Sequence, residues 1–289
     1  MVHGWVVVDK PEGMSSAHVV AVLRRLFNTK KAGHGGTLDP LASGVLPVAL
    51  GEATKALSYI LDGTKAYQFE VTWGEARTTD DREGEVIKMS PYRPKKEDIE
   101  AILPCFRGEI EQVPPAYSAL KIEGKKAYAL ARAGQKVDLP SRRLTITSLD
   151  LIRTSPDSAT FSVVCSKGTY VRSLGRDMAI RLGTCGYISY LRRTQAGPFH
   201  EKSAILLDSL RKIGHNTELM KSILPLPDAL VDILALEVEN KEALKLRQGQ
   251  PLLTSDLRED VVLIMCQGVP QALAKRAAGK IRPLRVFNF

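Results

Sequence analysis

The stretch AGHGGTLDPLASGVLPVALG, residues 32–51, restricts this chain more than any other. Gly33, Gly35, Gly36 and Gly44 surround a single acid, Asp39, ahead of an apolar run from Val45 to Leu50. Glycines this dense let the main chain come close where a Cβ would collide, so the segment reads as backbone pressed against its neighbours and leading into a buried strand. Asp-Pro ordinarily opens a turn, and by spacing alone a turn former is the better reading of Asp39 than a catalyst. A carboxylate held partly out of water in such a setting needs a cation, for which Arg172 beside Tyr170 is a candidate.

Around that segment the periodicities alternate. Trp5–Val8 is a short apolar run ending at Lys10-Pro11, the pattern of a buried strand feeding a turn. A helix follows, with Ser16 as expected cap and Val19, Val20, Leu23, Leu26 and Phe27 at helical spacing. Tyr67, Phe69, Val71 and Trp73 alternate with polar residues, which predicts a half-buried strand from Lys65 to Gly74. Residues 94–108 read as a helix closed by Gly108, residues 144–152 and 159–165 as strands, and Val171 to Leu182 as a helix stopped by Gly183. A last helix is expected from Ser203 to Gly214, and Pro-rich LPLPD marks a boundary near residue 230. Beyond it, short apolar runs split by Gly and Pro suggest a small β-rich module.

A length of 289 residues suggests one large domain plus a small one. The formal charge is +9, with 41 Lys and Arg against 32 Asp and Glu, which favours a polyanionic partner without dictating a fold. Between Tyr117 and Arg143 the bases Lys121, Lys125, Lys126, Arg132, Lys136, Arg142 and Arg143 face only Glu123 and Asp138, an exposed cationic excursion. From Lys275 onward Arg276, Lys280, Arg282 and Arg285 meet no acid, which suits a phosphate-contacting tail and, nearly as well, a solubilising one. Cys105, Cys165, Cys185 and Cys266 form no C-x-x-C pair and read as reduced, buried thiols. With no cationic leader and no apolar stretch near about 18 residues, a soluble cytoplasmic protein is expected.

Several chemistries lack their residues. No G-x-x-x-x-G-K-[ST] occurs, and Leu38 stands where G-x-G-x-x-G needs its last glycine. His3, His18, His34, His200 and His215 show no metal-binding spacing, so no metal is expected. Ser118-Ala119-Leu120-Lys121 meets the S-x-x-K pattern of serine acyl-enzymes, but no S-D-N or K-T-G follows it. Asp80-Asp81, adjacent in an acidic, turn-rich segment, suit turn chemistry better than paired-carboxylate hydrolysis.

The motif GHGGTLDPLASGVLPVALGEATK at residues 33–55 resembles the TruB family of bacterial tRNA pseudouridine synthases. The likeness continues through DKPEGMSS, KAYQFEVTWG, VPPAYSALKIEGKKAYALAR, CSKGTYVRSLGRD and YLRR, in the family's order, across the first 200 residues. It implies an α+β catalytic domain on a mixed, largely antiparallel sheet (1–230) and a C-terminal PUA-like β-barrel module that holds RNA (231–289). Residue by residue, Asp39 matches the catalytic aspartate, Tyr67 the aromatic stacked on the target base, Arg172 the arginine paired with the aspartate, and Tyr170 the second active-site tyrosine. His34 matches a histidine that fills space left by extruded bases, Leu191 an apolar residue against the target ring, and Lys10 and Asp81 positions near the pocket. Residues 117–143 correspond to an RNA-gripping insertion, carrying Lys121, Lys125 and Lys126. Where the family often has T-D-T-D-D, this chain has Thr78-Thr79-Asp80-Asp81, without the earlier acid.

The implied reaction moves uracil of a tRNA T-loop uridine from an N1 to a C5 linkage, with no cofactor and no metal. The implied partner is the tRNA T stem-loop, bound by a monomer with no obligatory protein partner and no membrane. A non-catalytic RNA chaperone would need only the basic surfaces and aromatics, and removing Asp39 separates the two readings.

Overall fold

The computed structural model describes residues 2–122, 124–135, 137–214 and 217–289. Glu123 and Lys136 of the cationic excursion and His215 of the histidine set lie outside the described residues. The chain divides into two compact units that exchange segments. One comprises Met1–Leu38, Val45–Leu61 and Ala196–Phe289, the other Asp39–Gly44 and Asp62–Gln195.

The second unit is a sheet with a helix on it. Starting from Ser43 and Gly44, the strand order runs Gly186–Ala196, Lys65–Trp73, Ser158–Cys165, Arg142–Thr154 and Gly108–Gln112. Lys65–Trp73 forms because its alternation gives one apolar face: Phe69, Val71 and Trp73 are buried, and Phe69 stacks on Phe161 with ring centroids 5.3 Å apart. Its pairing with Ser158–Cys165 is antiparallel, with Tyr67 opposite Val163 and Lys65 opposite Cys165. Arg142–Thr154 also pairs antiparallel on both sides, whereas Arg192 and Arg193 pair parallel with Ser43 and Gly44, so the sheet is mixed and largely antiparallel.

Helix Val171–Arg181 lies on this sheet through Val171, Leu174, Met178 and Ala179. Two glycines allow the approach. A Cβ on Gly175 would stand 2.6 Å from Ile188 Cδ1, and one on Gly186 would stand 2.9 Å from both Ala179 Cβ and Val71 Cγ1. The helix ends as expected at Gly183, whose φ of 75° is left-handed.

In the first unit, strand Gly4–Lys10 pairs parallel with Ile205–Leu206, and Ala32–His34 pairs antiparallel with the end of Ser43–Leu50. The C-terminal residues form a five-stranded sheet ordered Leu234–Glu237, Asp260–Cys266, Val269–Ala277, Lys280–Val286, Leu252–Leu253, with helix Asn240–Arg247 against it. Strand Asp260–Cys266 is buried on both faces. Val262 and Ile264 meet Leu246, Ala272 and Ala274, while Leu263 joins Trp5, Val7, Ala49 and Phe287 in a core shared with the N-terminal strand. No helix among the described residues is long and apolar enough to cross a membrane.

Four local expectations need correction. Ser15, not Ser16, caps the first helix, accepting from His18 N at 3.2 Å, because the Ser16 hydroxyl is buried elsewhere. The helix expected at Ser203–Gly214 starts only at Leu207, since Ile205 and Leu206 are claimed by the sheet. Pro104 turns the tail of helix Lys96–Ile102 into a 3-10 turn and leaves Cys105 exposed, although all four cysteines are free. Arg276 is buried, with Asp256 and Asp260 on its guanidinium, so it is no phosphate contact.

Candidate active site

Asp39 opens the turn that precedes the buried strand, with its carbonyl accepting from Ala42 N at 3.0 Å. The turn is followed at once by Gly44, whose φ is 101° and whose added Cβ would stand 2.2 Å from Arg193 O. The close backbone approach read from the glycines is therefore real. It fastens the Asp39 turn to strand Gly186–Ala196, which also carries Leu191 and Arg193.

Arg172 arrives from the first turn of helix Val171–Arg181, with Tyr170 as the residue before that turn. Its Nε donates to Asp39 Oδ2 at 2.9 Å. The Asp39 side chain is 33% exposed and that of Arg172 only 6%, so the carboxylate is reachable while its cation is sealed in. The other two guanidinium nitrogens donate to main-chain carbonyls, Nη1 to Thr79 O and Nη2 to Tyr117 O, both at 3.0 Å. Each of its three nitrogens therefore has an acceptor, and the three together oppose rotation of the guanidinium.

Asp81 stands behind this pair, its Oδ2 3.7 Å from Arg172 Nε and its side chain 4% exposed. The Thr79 hydroxyl and Glu83 N both bond its carboxylate. Burial pushes its pKa up, with the Thr79 bond and the Arg172 charge opposing. Asp81 thus belongs to a turn, its carbonyl accepting from Gly84 N, while its carboxylate faces Arg172.

Two tyrosines lie within electrostatic reach of the ion pair. Tyr67 is half-buried on strand Lys65–Trp73; burial raises its phenol pKa, while the charge and hydrogen bond of Arg193 oppose the rise and the Asp39 charge adds to it. Tyr170 N donates to Gln112 Oε1 at 2.9 Å. Burial also raises the Tyr170 pKa, against the adjoining Ser118 hydroxyl and the charges of Arg142 and Arg172. Both phenols are neutral at ordinary pH. Leu191 is buried on the strand of Arg193, two residues before it and therefore on the same face.

Lys10 and His34 belong to the first unit. Lys10 is fully buried, and its Nζ donates to Pro11 O and Met14 O at 2.9 and 2.6 Å. His34 pairs with Val48 across the antiparallel ladder. Lys121, Lys125 and Lys126 stand exposed on a two-stranded hairpin, Lys121 opposite Lys126, followed by helix Ala127–Arg132. Ser118 is buried and Lys121 exposed, which separates the members of the S-x-x-K pattern.

Several contributors have no signature in the sequence. Ser16 Oγ donates to Leu38 O at 3.0 Å and accepts from Leu38 N at 2.8 Å, fixing the peptide immediately before Asp39. Thr79 and Tyr117 act through carbonyls, which every residue has. Arg193 carried only its place in YLRR.

The fold is shared with chains of solved ribonucleoprotein and protein complexes. A chain of an H/ACA ribonucleoprotein solved with a substrate RNA containing 2′-deoxyuridine superposes with a TM-score of 0.76 at 25% identity, covering 99% of this chain and 85% of that one. A chain of a Cbf5–Nop10–Gar1 complex gives a TM-score of 0.75 at 27% identity, covering 99% and 84%. The model of the TruB family pseudouridylate synthase N-terminal domain matches residues 24–171, and that of the tRNA pseudouridylate synthase B C-terminal domain matches residues 172–231. The tRNA pseudouridine synthase B of Rhodospirillum rubrum is 51% identical over 99% of this chain and 97% of its own length. The chain belongs to the TruB family of pseudouridylate synthases.

Proposed function

We propose that this chain isomerises uridine to pseudouridine in the T-loop of tRNA, with Asp39 as the catalytic carboxylate. The observation that carries the reading is the Asp39–Arg172 pair, a reachable acid on a buried cation held at each of its three nitrogens. In the reaction the N1–C1′ bond breaks, the uracil turns and a C5–C1′ bond forms. The C5 proton leaves and N1 takes one up, so the composition is unchanged and no cofactor is required. Asp39 works at the ribose, by attack on C1′, removal of the C2′ proton or stabilisation of the cationic sugar.

The target base of a folded loop must first leave its stack, at a cost of roughly a few kcal/mol. Tyr67 then offers a stacking face and Leu191 an apolar wall, and His34 fills space vacated by extruded bases. Tyr170, neutral and two residues before Arg172, assists the C5 proton transfer. Lys10 and Asp81 complete the assigned set, Asp81 as a support of Arg172.

Residues 1–230 make the catalytic domain on this reading. Lys121, Lys125 and Lys126 in the 117–143 insertion contact phosphates, which fix register without reading sequence, and the PUA-like sheet of 231–289 holds RNA. The protein acts in the cytoplasm as a monomer, without an obligatory protein partner.

Incubation of an unmodified tRNA transcript with the purified protein, followed by pseudouridine mapping, tests this directly. One modified T-loop uridine is expected with wild type and none with Asp39→Asn, while tRNA affinity stays within about twofold. Turnover by Asp39→Asn, or binding lost together with turnover, would remove Asp39 from the chemistry.

A further inference from the structure

The two main-chain carbonyls that hold Arg172 come from separate segments, the turn containing Thr79 and the segment ending at Tyr117. One helical turn further along Val171–Arg181, a second arginine grips the same two segments. Arg176 Nη1 donates to Asp80 Oδ2 at 2.9 Å, and Arg176 Nη2 donates to Val113 O at 2.9 Å. Ser173 Oγ reinforces the second contact, donating to Val113 O at 2.8 Å. Asp177 Oδ1 receives Arg176 Nε at 2.9 Å and so holds the guanidinium in place.

We infer that Arg176 is a positioning residue for the Asp39–Arg172 pair, acting through the 79–81 turn and the 113–117 segment. The inference rests on the proposed isomerase reading of that site. Three observations support it. Asp80 has a φ of 60°, a left-handed backbone that Asn and Asp adopt more readily than other residues with a Cβ, and its carboxylate is tied to Arg176. On either side of Asp80, Thr79 gives its carbonyl to Arg172 and Asp81 places its carboxylate 3.7 Å from Arg172 Nε. Residues four apart on a helix share a face, so Arg172 and Arg176 clamp one surface in register.

The consequence is an indirect one. Without Arg176 the acceptors of Arg172 loosen, and the carboxylate it steadies drifts by a fraction of an ångström. Misplacement of about 1 Å is enough to cost on the order of 100-fold in rate while leaving affinity intact. Asp80→Asn keeps both an acceptor for Arg176 and a residue tolerant of left-handed φ; Asp80→Ala keeps neither.

Single-turnover pseudouridine formation at saturating tRNA is the readout, with tRNA affinity and melting temperature measured alongside for Arg176→Met, Asp80→Asn and Asp80→Ala. Arg176→Met and Asp80→Ala are expected to lose about 10- to 100-fold in rate with affinity within about twofold, while Asp80→Asn stays within about threefold of wild type. In an Arg172→Lys background, Arg176→Met should cost less than threefold further, because both changes act through one guanidinium. Wild-type rates in Arg176→Met, full additivity with Arg172→Lys, or equal losses in Asp80→Asn and Asp80→Ala would each overturn the inference. If Arg176→Met does not fold, the two Asp80 variants decide the matter. Absence of pseudouridine with the wild-type protein would instead overturn the isomerase reading itself.

Discussion

The guanidinium of Arg172 divides its nitrogens among three acceptors, Asp39 Oδ2, Thr79 O and Tyr117 O, lying in different directions. A lysine ammonium is a point charge and cannot span them. Arg172→Lys should therefore keep the positive charge yet lower the single-turnover rate on the order of 100-fold, a loss that a rate measurement at saturating tRNA would show and that an unchanged rate would contradict. Gly44 poses the same question for backbone. Its φ of 101° and the 2.2 Å separation of a new Cβ from Arg193 O leave no room for Gly44→Ala without moving a strand. We expect a loss of more than about 2 kcal/mol in urea denaturation. The glycines foretold this crowding; the sequence offered Arg172 only as a candidate cation for Asp39, 133 positions away, and the family resemblance paired the two. The carbonyls of Thr79 and Tyr117 leave no trace in a sequence at all, so two of the three acceptors of Arg172 are visible only in the structure.

Strand Lys65–Trp73 shows both how much of an element is legible and what is not. Its alternation fixes the buried face of Phe69, Val71 and Trp73, because a period of two admits only one such face. Where local pattern competes with a partner, the reading fails: Ile205 and Leu206 look helical with Leu207 and Leu210, yet ladder pairing to Val8 and Asp9 outweighs that propensity. The strand's first residue carries a pH signature as well. Burial, reinforced by the Arg193 charge, lowers the Lys65 pKa to about 8, and across the ladder burial raises that of Cys165 to about 11. Below about pH 8 the folded protein must hold a buried ammonium; between that point and the ordinary lysine value the unfolded chain binds more protons, so stability attributable to Lys65 rises with pH. Cys165 acts oppositely from about pH 8, where its unfolded thiol begins to ionise, and does so nearly alike with or without Lys65. Between pH 8 and 9 the unfolding free energy of wild type should gain about 1 kcal/mol over that of Lys65→Met, as measured by urea titrations at both values. Parallel pH profiles for the two proteins would show that Lys65 stays fully charged across this interval.

The interleaving of the chain has no local signature, because a crossing such as that at Leu38–Asp39 is made by long-range contacts rather than by any residue pattern. Charge is different, since it is a sum that the sequence states outright. The formal +9 includes a cluster at Lys121, Lys125 and Lys126, side chains that the structure leaves exposed on one hairpin, whereas Arg276 is withdrawn from the available cations by Asp256 and Asp260. If those lysines neutralise phosphates, each pairing releases counterions on binding and steepens the dependence of affinity on salt. Replacing all three by alanine should then weaken tRNA binding and flatten the plot of log affinity against log salt by about one unit for every phosphate left unneutralised, about three in all. The chemical step draws on Asp39 and Arg172, which stay untouched, so the single-turnover rate at saturating tRNA should remain within about threefold of wild type. A triple variant with an unchanged salt slope would show that the hairpin does not carry phosphates, and one with an unchanged slope but a slow chemical step would place the hairpin's contribution in loop geometry, transmitted through the Tyr117 carbonyl to Arg172.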